Sequence, residues 1–228
     1  MRKSLFLILT LLSLSSCTFA LPNTSNGSTH SSVLIEEDSG PTLNSFDYGA
    51  DYIAAHLPLS YWITYSYSAK TNGVAEEPVL ITSARNEQGY YIKDNSGTEA
   101  LFLKDGTSYL VYMPNDAGEL ALVPDLRLDE ENVKGYSTSF LGFMGIYDVA
   151  KDELVPDGEE TVAGRACYKY VFHASYVASA IDLYYSIDKT TGICLRYNAQ
   201  ALQGKDTSAF EFLCTVFKDA NVTLPTHV

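Results

Sequence analysis

The side chains of this 228-residue chain that could do chemistry are histidines, neighbouring acidic pairs and cysteines. The histidines lack the His-x-x-x-His and His-Glu-x-x-His spacings of zinc sites, because they are widely separated, at His30, His56, His173 and His227. Adjacent residues of a strand point to opposite faces, so neighbouring acidic residues do not place two carboxylates on one substrate. The sequence contains neither a phosphate-binding loop nor a nucleophile elbow. It therefore predicts a protein that is not an enzyme and that uses no metal or cofactor.

The first of the cysteines, Cys17, follows a short export signal. A basic start and an apolar segment too short for an ordinary transmembrane helix make up residues 2–14. Residues 14–17 read Leu-Ser-Ser-Cys and resemble the bacterial lipobox, whose cysteine sulfur receives a diacylglycerol before the leader is removed. The pattern predicts a signal peptide over residues 1–16 and lipidation of Cys17. The alternative is a soluble secreted protein cut after Ala20.

The balance of charge excludes several partners. Fifteen Lys and Arg against 28 Asp and Glu give a net charge of −13, which argues against nucleic acid and against attachment to anionic lipid through a basic patch. Membrane attachment then depends on the acyl chains at Cys17. Residues 17–43 are rich in Ser, Thr, Asn and Gly and are predicted to be a flexible tether before one domain over residues 44–228. We expect an exported protein of the cell envelope, held by lipid on the outside face of a bacterial membrane.

Two later cysteines alternate in phase with polar residues of their predicted strands. Cys167 is in phase with Arg165, and Cys194 is in phase with Arg196. Two exposed thiols on an exported protein favour pairing, so we predict a disulfide between Cys167 and Cys194. The alternative is two independent free thiols in reducing surroundings. Cys214 shares its phase with apolar residues and is expected in the core.

The elements that must position these residues are short alternating segments separated by turns, which is typical of antiparallel sheet. In one half-buried strand the residues that share an apolar face are Tyr61, Ile63, Tyr65 and Tyr67. Asp105-Gly106 predicts a type I′ hairpin. The pattern predicts a mainly antiparallel α+β fold of about ten strands, mostly paired with their sequence neighbours.

One amphipathic helix is predicted between two groups of strands, beginning near Asp129. Its apolar residues recur at spacings of three and four, at Val133, Tyr136, Phe140, Phe143, Met144 and Tyr147. Internal glycines each cost a helix roughly 1 kcal/mol relative to alanine, so this helix depends on packing. Two interpretations stay open, a core helix and a lid over an apolar cavity. A further short helix is expected over residues 44–56.

Two runs of the sequence resemble a known superfamily. Residues 162–172 read VAGRACYKYVF, and residues 184–197 read YYSIDKTTGICLRY. These resemble the Gly-x-x-Cys-Tyr-x-Tyr strand and the Asp-x-x-Thr-Gly-x-x-Leu hairpin of the LolA-like and LppX-like bacterial lipoproteins, and the resemblance extends over residues 44–224. It implies an open half-barrel, a curved antiparallel sheet with helices on its concave face, and it carries no catalytic residue. On pattern alone, a closed lipocalin-like barrel and a sandwich stay open.

Two function classes follow. The first is a membrane-anchored carrier or sensor that binds a lipid or a lipoprotein acyl chain and does no chemistry. Its predicted ligand-binding residues are Tyr61, Ile63, Tyr65 and Tyr67 on the concave face, with Phe140, Phe143 and Met144 on the helix that closes over it. The second is a surface binding or structural module that recognises a glycan or a protein through exposed tyrosines, for which Tyr90-Tyr91 and Tyr184-Tyr185 are the candidates.

Overall fold

The computed structural model describes residues 40–140 and 153–228. A single open, curved, antiparallel sheet of twelve strands dominates these residues. Two helices accompany it, α1 (Ala50–His56) and α2 (Glu130–Phe140). None of the helices in these ranges is long and apolar enough to cross a membrane. The strands are β1 (Tyr61–Thr71), β2 (Val74–Ala75), β3 (Val79–Asn86), β4 (Gly89–Asp94), β5 (Glu99–Asp105), β6 (Ser108–Pro114), β7 (Leu120–Leu128), β8 (Val155–Val162), β9 (Arg165–Tyr176), β10 (Ser179–Asp188), β11 (Cys194–Gln203) and β12 (Asp206–Lys218).

Most strands pair with their sequence neighbours, as the alternating pattern predicts. The order across the sheet is β7-β6-β5-β4-β3-β1-β12-β11-β10-β9-β8, with β2 paired to the end of β1. The exception is the central pair, because β1 lies beside the last strand, β12. This pairing joins an N-terminal half, β1 to β7, to a C-terminal half, β8 to β12.

The hairpin between β5 and β6 differs from the predicted turn. Asp105 pairs with Ser108, so the two loop residues are Gly106 and Thr107. Only Gly106 has a positive φ, of 64°, whereas a type I′ turn needs positive φ at both positions. The predicted hairpin is present, but the predicted turn type is wrong. Both turn residues have positive φ instead in the hairpin that joins β8 to β9, where Ala163 has a φ of 49° and Gly164 a φ of 78°.

The pairing register defines two faces of the sheet. We call the face that carries Tyr61, Ile63 and Tyr65 the front face. Ile53 of α1 is buried in one cluster with these three residues. Val133 of α2 is fully buried in a second cluster, among front-face residues of β4, β5 and β6. Both helices therefore pack against the front face.

The back face differs between the two halves. In the N-terminal half the segment after β12 covers it, since Val222 and Leu224 pack in a cluster with Trp62 and Tyr91. Backbone hydrogen bonding anchors this segment, because the amide of Val228 donates to the Leu120 carbonyl over 2.9 Å. In the C-terminal half the back face is polar. Its ion pairs are Lys169–Asp157 at 2.8 Å, Arg196–Glu211 at 2.8 Å and Arg196–Glu160 at 3.6 Å.

Candidate functional site

Three of the predicted ligand-binding residues of β1 are committed to the core. Tyr61, Ile63 and Tyr65 are at most 2% exposed, whereas Tyr67 is half-buried. The hydroxyl of Tyr65 donates a hydrogen bond of 2.8 Å to the carbonyl of Cys194. The four side chains share one face, as expected from their alternation, but only Tyr67 is partly accessible.

The position of α1 explains part of the burial of Tyr61, Ile63 and Tyr65. The helix and the residues before it lie on the turn between β10 and β11, where a Cβ at Gly192 would approach the Tyr48 ring to 2.8 Å and the Tyr52 ring to 3.0 Å. Gly192 also has a φ of 74°, a conformation that side chains disfavour. Glycine at this position therefore lets α1 close over the end of the front face nearest Ile63.

The motif that carries the superfamily resemblance builds this turn. Asp188 is 1% exposed, and its carboxylate accepts hydrogen bonds of 3.0 Å from both Nε and Nη2 of Arg165. It also accepts from the backbone amide of Thr191 at 3.0 Å and from the Thr191 hydroxyl at 2.6 Å. The Arg165 guanidinium stacks over Phe217, 4.2 Å from the ring centroid. The Asp-x-x-Thr-Gly sequence thus fixes the loop that receives α1.

Away from α1, the front face carries a continuous half-buried apolar surface. We call it the front patch, and its residues are Val79, Tyr67, Phe212, Phe210, Leu183 and Phe172. Cross-strand pairing assembles it, since Tyr67 pairs with both Val79 and Phe212, and Leu183 pairs with Phe172. The rings of Tyr67 and Phe212 lie 4.5 Å apart. Tyr67 is the predicted site residue that belongs to this patch.

Two buried tyrosines form the floor beside the front patch. Tyr185 and Tyr197 pair across β10 and β11, with ring centroids 5.0 Å apart. Burial raises the pKa of both phenols, that of Tyr197 to about 12. Both phenols are therefore neutral at physiological pH. The floor presents rings without an unpaired charge, as an apolar ligand requires.

Alternation along a single strand does not identify most of the front patch. Phe210 and Phe212 share the phase of Cys214 in the sequence, which indicates a core face. The pairing of β12 with β1 is what brings these two rings beside Tyr67. Such a pairing, between strands at opposite ends of the domain, has no local sequence signal.

Of the three ligand-binding residues predicted on the helix, the structure describes the backbone of only one. Phe140 is the last residue of α2, whereas Phe143 and Met144 lie outside the described residues. The first turns of α2 behave as a core helix, because Val133 is fully buried. Cys17, the signal peptide and the tether up to residue 39 also lie outside the described residues.

The predicted exposure of Cys167 and Cys194 is wrong. Both are buried, at 0% and 1% exposed, and within the described residues neither of them, nor Cys214, forms a disulfide. Strand β10 lies between their strands, a separation of about 9.6 Å across two strand spacings, which exceeds the reach of a disulfide. The structure therefore contains no Cys167–Cys194 disulfide.

Local geometry explains the error. A bulge where Cys194 pairs with Ile187 breaks the phase that it would share with Arg196. Cys167 keeps its phase with Arg165 but lies between the partners Asp188 and Glu160, beneath the side chains of the Arg165 ion pair. Burial raises the pKa of Cys167 to about 12, so this thiol is unreactive.

A different arrangement occupies the front face of the N-terminal half. Tyr90 is 3% exposed, and its hydroxyl has no hydrogen-bond partner within the described ranges. Such a buried, unpaired hydroxyl costs about 1 to 3 kcal/mol. Burial raises the pKa of Tyr90 to about 12, so the hydroxyl keeps its proton. The guanidinium of Arg85 lies over this ring, 5.2 Å from its centroid.

The part of the chain that the structure describes contains no cluster of three or more His, Cys, Asp or Glu residues arranged to hold a metal ion. His173 has Asp182 as its neighbour, 2.7 Å from Nδ1, and both side chains are exposed. The geometry offers apolar contact and hydrogen bonding rather than a set of converging ligands.

Comparison with known proteins gives matches only among solved structures. No family model and no curated protein matches the chain. The chain is similar to MucB in complex with MucA(peri), at 15% identity and a TM-score of 0.36 over 75% of this chain, and it spans only 54% of that chain. It is also similar to the LolA superfamily protein NE2245 from Nitrosomonas europaea, at 10% identity and a TM-score of 0.25 over 77% of this chain and 93% of that one.

A third similar structure is a putative outer membrane lipoprotein-sorting protein domain from Vibrio parahaemolyticus. It shows 9% identity and a TM-score of 0.23, over 76% of this chain and 91% of that domain. All three TM-scores are below 0.5, so these likenesses carry no argument about ligand or partner. The matched structures include a LolA superfamily protein, and that is the superfamily that residues 162–172 and 184–197 resemble.

Proposed function

We propose that the protein binds the acyl chain of a lipid or lipoprotein on its front face, as a carrier or sensor that does no chemistry. The observation that carries this proposal is the front patch. Tyr67, Phe210 and Phe212 present partly accessible rings on the same face as both helices. A contiguous apolar surface on a protein with a net charge of −13 is typical of a binding site rather than of ordinary solvent-facing surface.

The two tyrosines that form the floor beside the front patch, and the polar residues on the back of the same strands, both favour binding of an apolar ligand to the front face. Burial keeps the phenols of Tyr185 and Tyr197 neutral, so no charge has to be desolvated when an alkyl chain packs on them. Ion pairs and polar side chains occupy the back of the same strands, among them Lys169–Asp157. The back face of these strands is therefore less suited to an apolar ligand than the front face.

We also propose which face of the sheet is concave and which residues of the helix cover the acyl chain. The front face is the concave face of the half-barrel, and Phe140, Phe143 and Met144 close over an acyl chain held there. Tyr61, Ile63 and Tyr65 support the patch from within the core rather than contacting the ligand. This division follows from their burial.

Membrane attachment through Cys17 completes the proposed function. The lipidated chain is exported and stays on the outside face of a bacterial membrane, where acyl ligands are available. Replacing Cys17 with Ser should release the protein from the membrane fraction. A Cys17→Ser protein that stays bound through washes with high salt and carbonate would contradict the lipid anchor.

The alternative is recognition of a glycan or a protein through exposed tyrosines, but most of the candidate tyrosines are buried. Tyr90, Tyr91 and Tyr185 are at most 4% exposed, and Tyr184 is half-buried on the back face. A stacking platform needs accessible rings. Tyr67, Phe210 and Phe212 of the front patch present partly accessible rings instead.

The test is binding of a neutral acyl ligand to the full chain carrying Cys17→Ser. Methyl palmitate, delivered from cyclodextrin, should bind the protein and displace a fluorescent fatty acyl probe. Leu183→Ser, in the front patch, should weaken binding by roughly tenfold, because it removes one half-buried apolar contact.

The matched control is Leu202→Ser, on the neighbouring strand β11. Leu202 is 44% exposed on the back face, so its replacement should leave binding unchanged. Equal effects of the two substitutions, or no binding of methyl palmitate by the unsubstituted chain, would contradict the proposal.

A further inference from the structure

An unusual pair of polar groups lies on the front face beside α2. Arg85 pairs across the sheet with Tyr61 on one side and with Tyr90 on the other. Arg85 is half-buried, and no ion pair involves it among residues 40–140 and 153–228. Its guanidinium lies over the Tyr90 ring, 5.2 Å from the centroid, and the hydroxyl of that ring is a buried donor without an acceptor in the same ranges. A strong cation and an unused donor thus share one location.

The acidic group of α2 whose charge acts on Tyr90 is already engaged. Glu130, at the start of α2, forms an ion pair of 2.8 Å with Lys134. The hydrogen bond from Lys134 lowers the pKa of Glu130, and the charges of Lys104 and Arg85 lower it further. The charges of three cations thus act on one carboxylate, although the whole chain carries 28 acidic and 15 basic residues.

We propose that Arg85 and the Tyr90 hydroxyl bind an oxyanion, a carboxylate or a phosphate, on the front face. The guanidinium supplies charge and two parallel donors, and the phenol supplies a third donor that has no protein acceptor to give up. Glu130 is the competitor, because its carboxylate repels an incoming anion.

This inference deepens the proposed function and rests on it for the source of the anion. Arg85 and Val79 lie on the same face of β3, six residues apart, which is about 20 Å along the strand. An extended long-chain lipid with its headgroup at Arg85 therefore reaches the front patch. The acyl ligand would then be an anionic amphiphile such as a fatty acid or a phospholipid.

The experiment compares three probes on the full chain carrying Cys17→Ser. Palmitate and methyl palmitate share the chain and differ in headgroup charge, and inorganic phosphate tests the anion alone. Palmitate should bind at least roughly tenfold more tightly than its methyl ester, as expected for hydrogen bonds to a charged group. Arg85→Gln should remove that preference, whereas Lys205→Gln, at an exposed position in the β11–β12 turn, should keep it.

Tyr90→Phe separates the site from a structural role of these residues. It removes an unpaired buried hydroxyl, so the melting temperature should stay the same or rise while the affinity for palmitate falls several-fold. Glu130→Gln should raise the affinity for palmitate. A stable Tyr90→Phe protein that binds palmitate as the parent does would overturn the inference.

The three probes also separate this inference from the proposed function. Equal binding of palmitate and methyl palmitate, with no binding of phosphate, would overturn the oxyanion site and leave acyl binding intact. Binding of phosphate that depends on Arg85, without binding of either amphiphile, would support the oxyanion site with a free anion as its source and would contradict the acyl carrier.

Discussion

The two halves of the sheet bury their apolar side chains in different ways. Most of the N-terminal half is covered on both faces, by α2 over β4 to β6 on the front and by the chain after β12 on the back, with Val133 and Leu224 as the respective anchors. The C-terminal half buries only its front face, and its back face carries ion pairs such as Arg196–Glu211. An apolar surface that is only partly covered remains on the front face, over the C-terminal half and the adjoining ends of β1 and β3, where Tyr67 and Val79 lie.

This difference locates stability and binding in separate places. Covering both faces of a sheet removes apolar area from water and leaves little surface for a ligand. The front patch has neither the full cover of the N-terminal half nor the charge of the back face. We therefore expect substitutions on the back of the N-terminal half to act mainly on stability, and substitutions in the front patch to act mainly on ligand binding.

The largest expected effect comes from Asp188→Ala in the C-terminal half. This substitution removes the buried partner of Arg165 and the acceptor for Thr191, and breaking a buried ion pair costs about 3 kcal/mol of unfolding free energy. Urea denaturation followed by circular dichroism measures the loss. The control is Asp157→Ala, whose pair with Lys169 is exposed and should contribute less than about 1 kcal/mol. Equal losses would show that the Asp188 turn does not hold this half together.

An intermediate effect is expected from Leu224→Ala on the back of the N-terminal half. Leu224 is 8% exposed in the cluster with Tyr91 and Leu101, and truncating a buried leucine costs about 2 kcal/mol or more. Thermal unfolding measures this cost. Binding of methyl palmitate by the folded protein should stay unchanged, and a parallel loss of binding would break the separation between the two halves.

The smallest effect is expected from Ala163→Gly in the hairpin between β8 and β9. Ala163 has a φ of 49°, and left-handed backbone at a residue with a Cβ costs about 1 kcal/mol. Glycine should therefore raise the melting temperature slightly. A lower melting temperature would mean that the gain in unfolded-chain entropy exceeds the relief of strain.

Alternation and turn residues made much of the fold predictable. Period-two spacing gave the shared face of Tyr61 and Tyr65, and the spacing of three and four gave a helix that includes Val133. These signals are local, because each depends on residues within one element. The predicted hairpins have the same basis.

The features that the sequence did not predict depend on how the strands pair with one another. The front patch depends on β1 lying beside β12, and the Arg85–Tyr90 pair depends on the register between β3 and β4. The exposure predicted for Cys194 was wrong because a bulge shifts its register. Neither a bulge nor a central pairing of the first and last long strands leaves a periodic signal in the chain.

The most direct test of the central claim is to locate a bound acyl chain on the protein. The full chain carrying Cys17→Ser would be irradiated with a palmitate analogue that has a diazirine in its alkyl chain, and the labelled residues would be identified by mass spectrometry. If an acyl chain binds the front patch, labels are expected at Tyr67, Leu183, Phe210 or Phe212. Excess palmitate should compete and remove them. Labels confined to exposed apolar residues elsewhere, such as Leu122 and Leu202, or labels that palmitate does not displace, would contradict binding of an acyl chain at the front patch.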